Sequence, residues 1–161
     1  MAEAKLEAKG SPRGIQRWFF RAPIWLYKAH LGFLMGHRFV MIEHIGRKSG
    51  EMRQVVLEVV AEEVDAVYVA AAWGSRAHWL QNVRADPHVT VHLGMTKYST
   101  LASQIDRATA VEVFAEYSAA HPKTLGNLSR FMLDDPGETN EEKVKSISEL
   151  VPMVRLPKPS G

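Results

Sequence analysis

From position 39 onward the chain alternates apolar and polar residues with the period of a half-buried strand. The runs FVMIEHI (39–45) and MRQVVLEVV (52–60) flank the turn GRKSG (46–50), which predicts a β-hairpin. After a second turn at 61–66, VYVAAA (67–72) predicts a third strand. The period then lengthens to that of a helix over 76–85, with Ser75 as its cap and Asp86-Pro87 as its stop. HVTVHL (88–93) and TKYSTLASQI (96–105) predict two further strands around Gly94. Asp106 is placed to cap a helix over 107–120, whose Ala110, Val113, Phe114, Tyr117 and Ala120 share one side. Pro122 suits the first position of another helix, ending near Leu133. Residues 134–143 read as a loop and 150–156 as a closing strand.

Upstream the pattern is different. Residues 1–14 are polar, carry Gly10, Pro12 and Gly14, and read as a disordered tail. Residues 15–36 concentrate Trp18, Phe19, Phe20, Trp25, Tyr27 and Phe33 among Arg17, Arg21 and Lys28, with Pro23 starting or kinking a helix. Two readings stand for this N-terminal helix: a cover over one end of the fold, or an interfacial helix resting on a membrane surface. No internal repeat is present. Strands dominate 39–105 and helices gather at the ends, so the expected class is mainly β with flanking helices, an antiparallel barrel rather than a parallel α/β sheet. The expected organisation is one domain spanning 15–161.

Composition narrows the chemistry. The formal charge of +2 on 161 residues gives no sequence-wide basic surface, so no nucleic-acid partner is expected. With no cysteine, thiol nucleophiles, disulfides and iron–sulfur clusters are excluded, and any redox role needs a bound cofactor. The seven histidines are scattered and no metal site is expected; His88 and His92 share a strand face without a helical His-Glu pair. No G-x-S-x-G elbow supports a hydrolase. No secretory signal and no membrane-spanning apolar run are evident, which points to the cytoplasm, with peripheral contact at the inner face of the membrane if 15–36 is interfacial.

Two stretches carry candidate chemistry. The first is the turn Gly46-Arg47-Lys48-Ser49-Gly50 followed by Arg53. Two glycines free the backbone to aim N–H groups at an anion, and the cations and hydroxyl add the donors a phosphate needs. The spacing is not that of a Walker loop, which has four residues between its glycines and leads into a helix. A plain solvated turn is the other reading. The second stretch runs from Ala71 through Gly74 and Ser75 to Trp79 and Asn82. Small residues before a helix start let a flat ring approach backbone, with Trp79 as a stacking wall and Asn82 as a hydrogen-bond partner. The alternative is a tight turn with Trp79 in the core.

Taken together, G-[RA]-K-[ST]-G-x-x-R, a strand ending in small residues, and Trp-x-x-Asn before Asp-Pro resemble the deazaflavin-dependent nitroreductase and quinone reductase family. The match covers about 22–105, and Pro152-Met153-Val154-Arg155-Leu156 fits the closing strand. The resemblance implies a split β-barrel that binds coenzyme F420, a deazaflavin with a ribityl-phosphate and glutamate tail. It implies hydride transfer from the reduced coenzyme to a lipophilic, electron-poor acceptor such as a quinone, enone or nitro compound. Lys48, Ser49 and Arg53, with Arg47, would hold the phosphate. Gln54, Val55, Val56 and Leu57 would lie under the ring. Ala71, Gly74, Ser75, Trp79 and Asn82 would close the pocket. No catalytic residue is singled out. This chain departs from relatives at Gln54-Val55, where many have Thr-Pro, at Trp79 directly after His78, and in lacking acceptor-lining tyrosines in 121–133. Those departures keep open a second function, the binding of a lipid or fatty acid without turnover. Oligomeric state is undetermined by the sequence.

Overall fold

The computed structural model describes residues 36–71, 74–123, 125, 126, 129 and 139–161. The N-terminal tail, the helix expected at 15–36 and the helix end expected near Leu133 lie wholly or almost wholly outside the described residues.

Among the described residues seven strands form one sheet: β1 Phe39–Ile45, β2 Met52–Glu62, β3 Ala66–Ala70, β4 His88–Leu93, β5 Thr96–Leu101, β6 Ser103–Gln104 and β7 Met153–Pro157. Their order is β5-β4-β1-β2-β3-β7-β6. Every pairing is antiparallel. The two edge strands, β5 and β6, are separated in sequence by Ala102 alone, so the sheet's two ends are joined through one residue. The result is a split β-barrel. Among the described residues three bounded helices accompany it, α1 His78–Ala85, α2 Arg107–Ala120 and α3 Asn140–Leu150, and residues 122, 123, 125, 126 and 129 are also helical, where Pro122 is expected to start a helix.

Alternation decides which side chains fill the barrel. Val40 and Ile42 of β1, Val67 and Val69 of β3, Val91 of β4, and Val154 and Leu156 of β7 are all fully buried inward positions. β-Branched residues suit this pleated, enclosed surface. α1 adds Ala77, Trp79, Leu80 and Val83 to the same core. Each fully buried side chain such as Ile42 or Leu80 contributes about 1.5–3 kcal/mol over leaving it in water. The opposite face of β3 and β7 packs Ala66, Tyr68 and Met153 against Phe114 and Tyr117 of α2 and Val144 and Ile147 of α3. β3 is therefore covered on both faces, which is why VYVAAA reads as a continuous apolar run. Beyond a register shift between Val59 and Ala61, β2 passes from the barrel core to this second layer.

The elements differ from the sequence expectation at six points, the smallest being that β2 runs on to Glu62 where a turn is expected from 61. The strand expected at 96–105 breaks at Ala102, whose N–H is taken by Pro87 O (2.9 Å), as the ladder partner changes from β4 to β7. Ser75 does not cap a helix. Gly74, at φ +69°, folds the chain into a 3-10 turn, Gly74–Arg76, and α1 begins after Ala77 with no side-chain cap. The third strand runs Ala66–Ala70 rather than 67–72. Part of the expected loop 134–143 is helical: Thr139 and Glu142 close a reciprocal capping box that starts α3 at Asn140. α3 then extends through Leu150, so the closing strand starts at Met153. Asp106 caps α2 as expected, accepting from Thr109 N at 2.8 Å.

Candidate functional site

The β1–β2 hairpin tip is built from its glycines outward. Gly46 N donates to Glu51 O and Gly50 N donates to Gly46 O, both at 2.8 Å. Gly50 sits at φ +69°, a left-handed conformation that glycine adopts without penalty. A Cβ at Gly46 would lie 2.6 Å from Ser49 Oγ, so glycine lets the serine hydroxyl fold back over the turn. That oxygen accepts from Glu51 N (3.2 Å), leaving the hydroxyl proton available to a ligand. Arg47, Lys48 and Ser49 are exposed. Arg53 pairs with Glu51 (2.9 Å), an exposed contact of small energy. Lys48 has no hydrogen bond or ion pair among the described residues. Three cations thus face one carboxylate across the tip.

α1 is tied to this tip by Asn82, a buried residue. Asn82 Oδ1 accepts from Arg47 N (3.1 Å) and from Arg47 Nη1 (2.8 Å). Its Nδ2 lies 3.3 Å from Nδ1 of His44, which is itself buried. Arg53 stands directly across the ladder from His44 and shares its face. Burial, and then the Arg53 charge, push the His44 imidazole down to about 4, so it is neutral near pH 7.

The other face of the same strands carries a groove of about 530 Å³. It opens at Ile45 and Met52, the last cross-strand pair before the tip, and ends at Leu101 of β5. These three are exposed by 37%, 60% and 53%, and give the groove an apolar rim. Glu43, Thr90 and Ser99 give the groove a polar wall. Glu43 Oε1 accepts from Gln54 Nε2 at 3.3 Å and meets His92 Nε2 at 3.2 Å. Burial holds the His92 imidazole below its usual range, against the opposing pull of Glu43.

The sequence-derived residues divide accordingly. Arg47, Lys48, Ser49 and Arg53 come together at the tip, and Asn82 joins them through Arg47. Gln54 and Val56 lie on the groove face, in register with Glu43 and Met41. Val55 and Leu57 point the other way and pack on the barrel core. Trp79 is a core residue, 8% exposed. Ala71 is buried and Gly74 N donates to its carbonyl at 2.8 Å; Ser75 is exposed. No hydrogen bond joins Ala71, Gly74 or Ser75 to the tip among the described residues. Sequence reasoning missed His44, Glu43, Ile45, Met52 and Leu101. For His44 a signal existed: it occupies the inward register of FVMIEHI after Val40 and Ile42, a polar residue where an apolar one is expected.

A family model described as F420H2-dependent quinone reductase matches residues 19–126. The chain belongs to that family. It is an oxidoreductase that uses coenzyme F420, and its partner substrate is a small-molecule acceptor. Among solved structures, one described as an F420-H2 dependent reductase is 22% identical, with TM-score 0.53, over 75% of this chain and 95% of its own. A domain-swapped dimer is 19% identical, with TM-score 0.54, over 84% of this chain and 98% of its own. A heme storage protein of Vibrio cholerae, 12% identical, shares the fold at TM-score 0.51, over 84% of this chain and 92% of its own. A comparison with curated proteins finds no match. The donor set at the tip fits the coenzyme's phosphate: a hydroxyl with its proton free, a lysine without a partner among the described residues, and two arginines.

Proposed function

We propose that the enzyme holds the coenzyme's phosphate on Lys48, Ser49, Arg47 and Arg53, and that the apolar groove receives the lipophilic acceptor beside the ring. The observation that carries this reading is continuity. The groove starts at Ile45 and Met52, the last cross-strand pair before the cationic tip, so a coenzyme anchored at the tip lies beside an acceptor in the groove. When bound, the reduced coenzyme supplies a hydride. The chain's own residues bind the anionic tail, carry Gln54 and Val56 on the groove's face of the sheet, and surround a flat acceptor with Ile45, Met52 and Leu101. A quinone is the acceptor class that the family name carries; enones and nitro compounds share its electron-poor, planar chemistry.

The test is to place a charge in the groove. Leu101→Arg should raise KM for a naphthoquinone by about tenfold or more, since a charge facing an apolar ring costs over 1.4 kcal/mol. Coenzyme affinity, read by fluorescence quenching, should stay within about twofold. An unchanged KM would remove the acceptor from this groove. The same apolar rim supports the alternative occupant, a fatty acyl chain, and native mass spectrometry of purified protein separates the two by mass.

The segment 15–36 supports a peripheral membrane contact that would bring lipophilic acceptors to the groove. Four aromatic residues fall between positions 18 and 25, with cations at Arg13, Arg17, Arg21 and Lys28. No helix among the described residues is long and apolar enough to cross a membrane. Basic side chains near an anionic surface contribute about 1 kcal/mol each. The full-length protein should therefore sediment with phosphatidylserine vesicles at low salt and be released at high salt. Protein left in the supernatant under both conditions would rule the contact out.

A further inference from the structure

We infer that Asn82 is a positioning residue for the anion-binding tip, fixing Arg47 through a neutral oxygen so that its full positive charge remains for the ligand. The inference rests on the phosphate reading of the tip. The geometry is specific. One amide oxygen takes both the main-chain N–H and a guanidinium N–H of the same residue, at 3.1 and 2.8 Å. Arg47 is therefore held in both backbone and side chain, while the guanidinium keeps its other N–H donors. The amide orientation follows from chemistry, because both Arg47 groups are donors and only the oxygen can accept them.

The remaining contact completes the lock. With its oxygen committed to Arg47, Asn82 offers Nδ2–H to His44 Nδ1 at 3.3 Å. His44 must accept there, which puts its ring proton on Nε2. A buried imidazole thus sets the amide, and the amide sets the arginine.

The contrast with Arg53 shows what the neutral partner does. Arg53 is paired to a carboxylate, Glu51, whereas Arg47 is paired to an amide. A carboxylate at position 82 would hold Arg47 at least as firmly and would compensate its charge. Position and charge can therefore be separated by a single isosteric change.

The experiment compares the full-length protein with Asn82→Asp and Arg47→Gln. Each is titrated with coenzyme F420 and with its phosphate-free deazaflavin nucleoside, and His44 is followed by nitrogen NMR. Asn82→Asp should bind the coenzyme about tenfold or more weakly, the loss of one charge-assisted contact. It should bind the nucleoside within about twofold of wild type, and its His44 pKa should rise because a carboxylate now faces Nδ1. Arg47 is exposed, so Arg47→Gln is expected to fold whatever Asn82→Asp does, and it should show the same split between the two ligands. Wild-type coenzyme affinity in Asn82→Asp, or in Arg47→Gln, would overturn the inference. Equal loss of coenzyme and nucleoside would overturn it too, by putting Asn82 against the ring. A wild-type protein that gains nothing from the phosphate would instead sink the reading of the tip itself, and this inference with it.

Discussion

Replacing Lys48 and Arg53 together by alanine should weaken binding of coenzyme F420 by roughly a hundredfold. Each removes a charge-assisted contact worth about 1.5–3 kcal/mol. Solvent exposure of the tip holds the pair to the lower end, about 3 kcal/mol, and 1.4 kcal/mol is a factor of ten. Arg53 must also leave Glu51 to bind a phosphate, which reduces its share slightly. The fold should be indifferent, because both side chains are exposed and neither packs on a core. Isothermal titration at two salt concentrations checks both points. Wild-type affinity falls with added salt, and the double variant loses most of that dependence. An unchanged dissociation constant in the double variant would take the phosphate away from this hairpin.

Acidification from pH 6.5 to pH 4 should destabilise the protein by up to about 3 kcal/mol through His44 alone. The native imidazole is held down to about 4, whereas the unfolded one has its ordinary value of 6.5. Between those values the unfolded chain binds the proton and the native one does not, so stability falls as pH falls. The depression amounts to about 3 kcal/mol at 1.36 kcal/mol per pKa unit. Its stability contribution is complete above pH 6.5 and exhausted below 4. Carboxylates act at lower pH. Asp86, Asp106 and Glu62 are held below their usual range by hydrogen bonds from His88, Thr109 and Lys158, and their contributions are lost only as they protonate. Urea denaturation across this pH range in wild type and His44→Gln separates the two. Glutamine retains an oxygen for Asn82 and does not titrate, so the slope between pH 6.5 and 4 should fall by the His44 share, leaving the smaller part due to His92, which burial also holds below its usual range, and the acid limb at lower pH. An undiminished slope in His44→Gln would assign the pH dependence elsewhere.

Local sequence was enough to determine the β1–β2 hairpin and its tip. Alternation in 39–45 and 52–60 with a glycine-bounded turn between them specifies a hairpin, because each step is settled by neighbours along the chain. Arg47, Lys48, Ser49 and Arg53 share that hairpin, so their convergence was legible without a fold. Thr139 and Glu142 also announce α3 at the right spacing, although the surrounding polar residues hide it as loop.

Tertiary structure alone decided the rest, for a physical reason in each case. The break at Ala102 exists because one continuous apolar-polar pattern serves both edges of a closing sheet, and local periodicity is the same on either side. The fate of Trp79 depends on α1 filling the barrel, which no neighbour in sequence specifies. Of Gln54 to Leu57, the strand pleat divides two residues to the groove's face of the sheet and two to the core, and only the barrel's closure says which face is which. The groove joins Ile45 and Met52 to Leu101, which belongs to a strand two ladders away from β1. The link from His44 through Asn82 to Arg47 spans residues 35 and 38 apart in sequence. Sequence determined which residues carry charge and which faces are apolar; three-dimensional closure determined which of them meet.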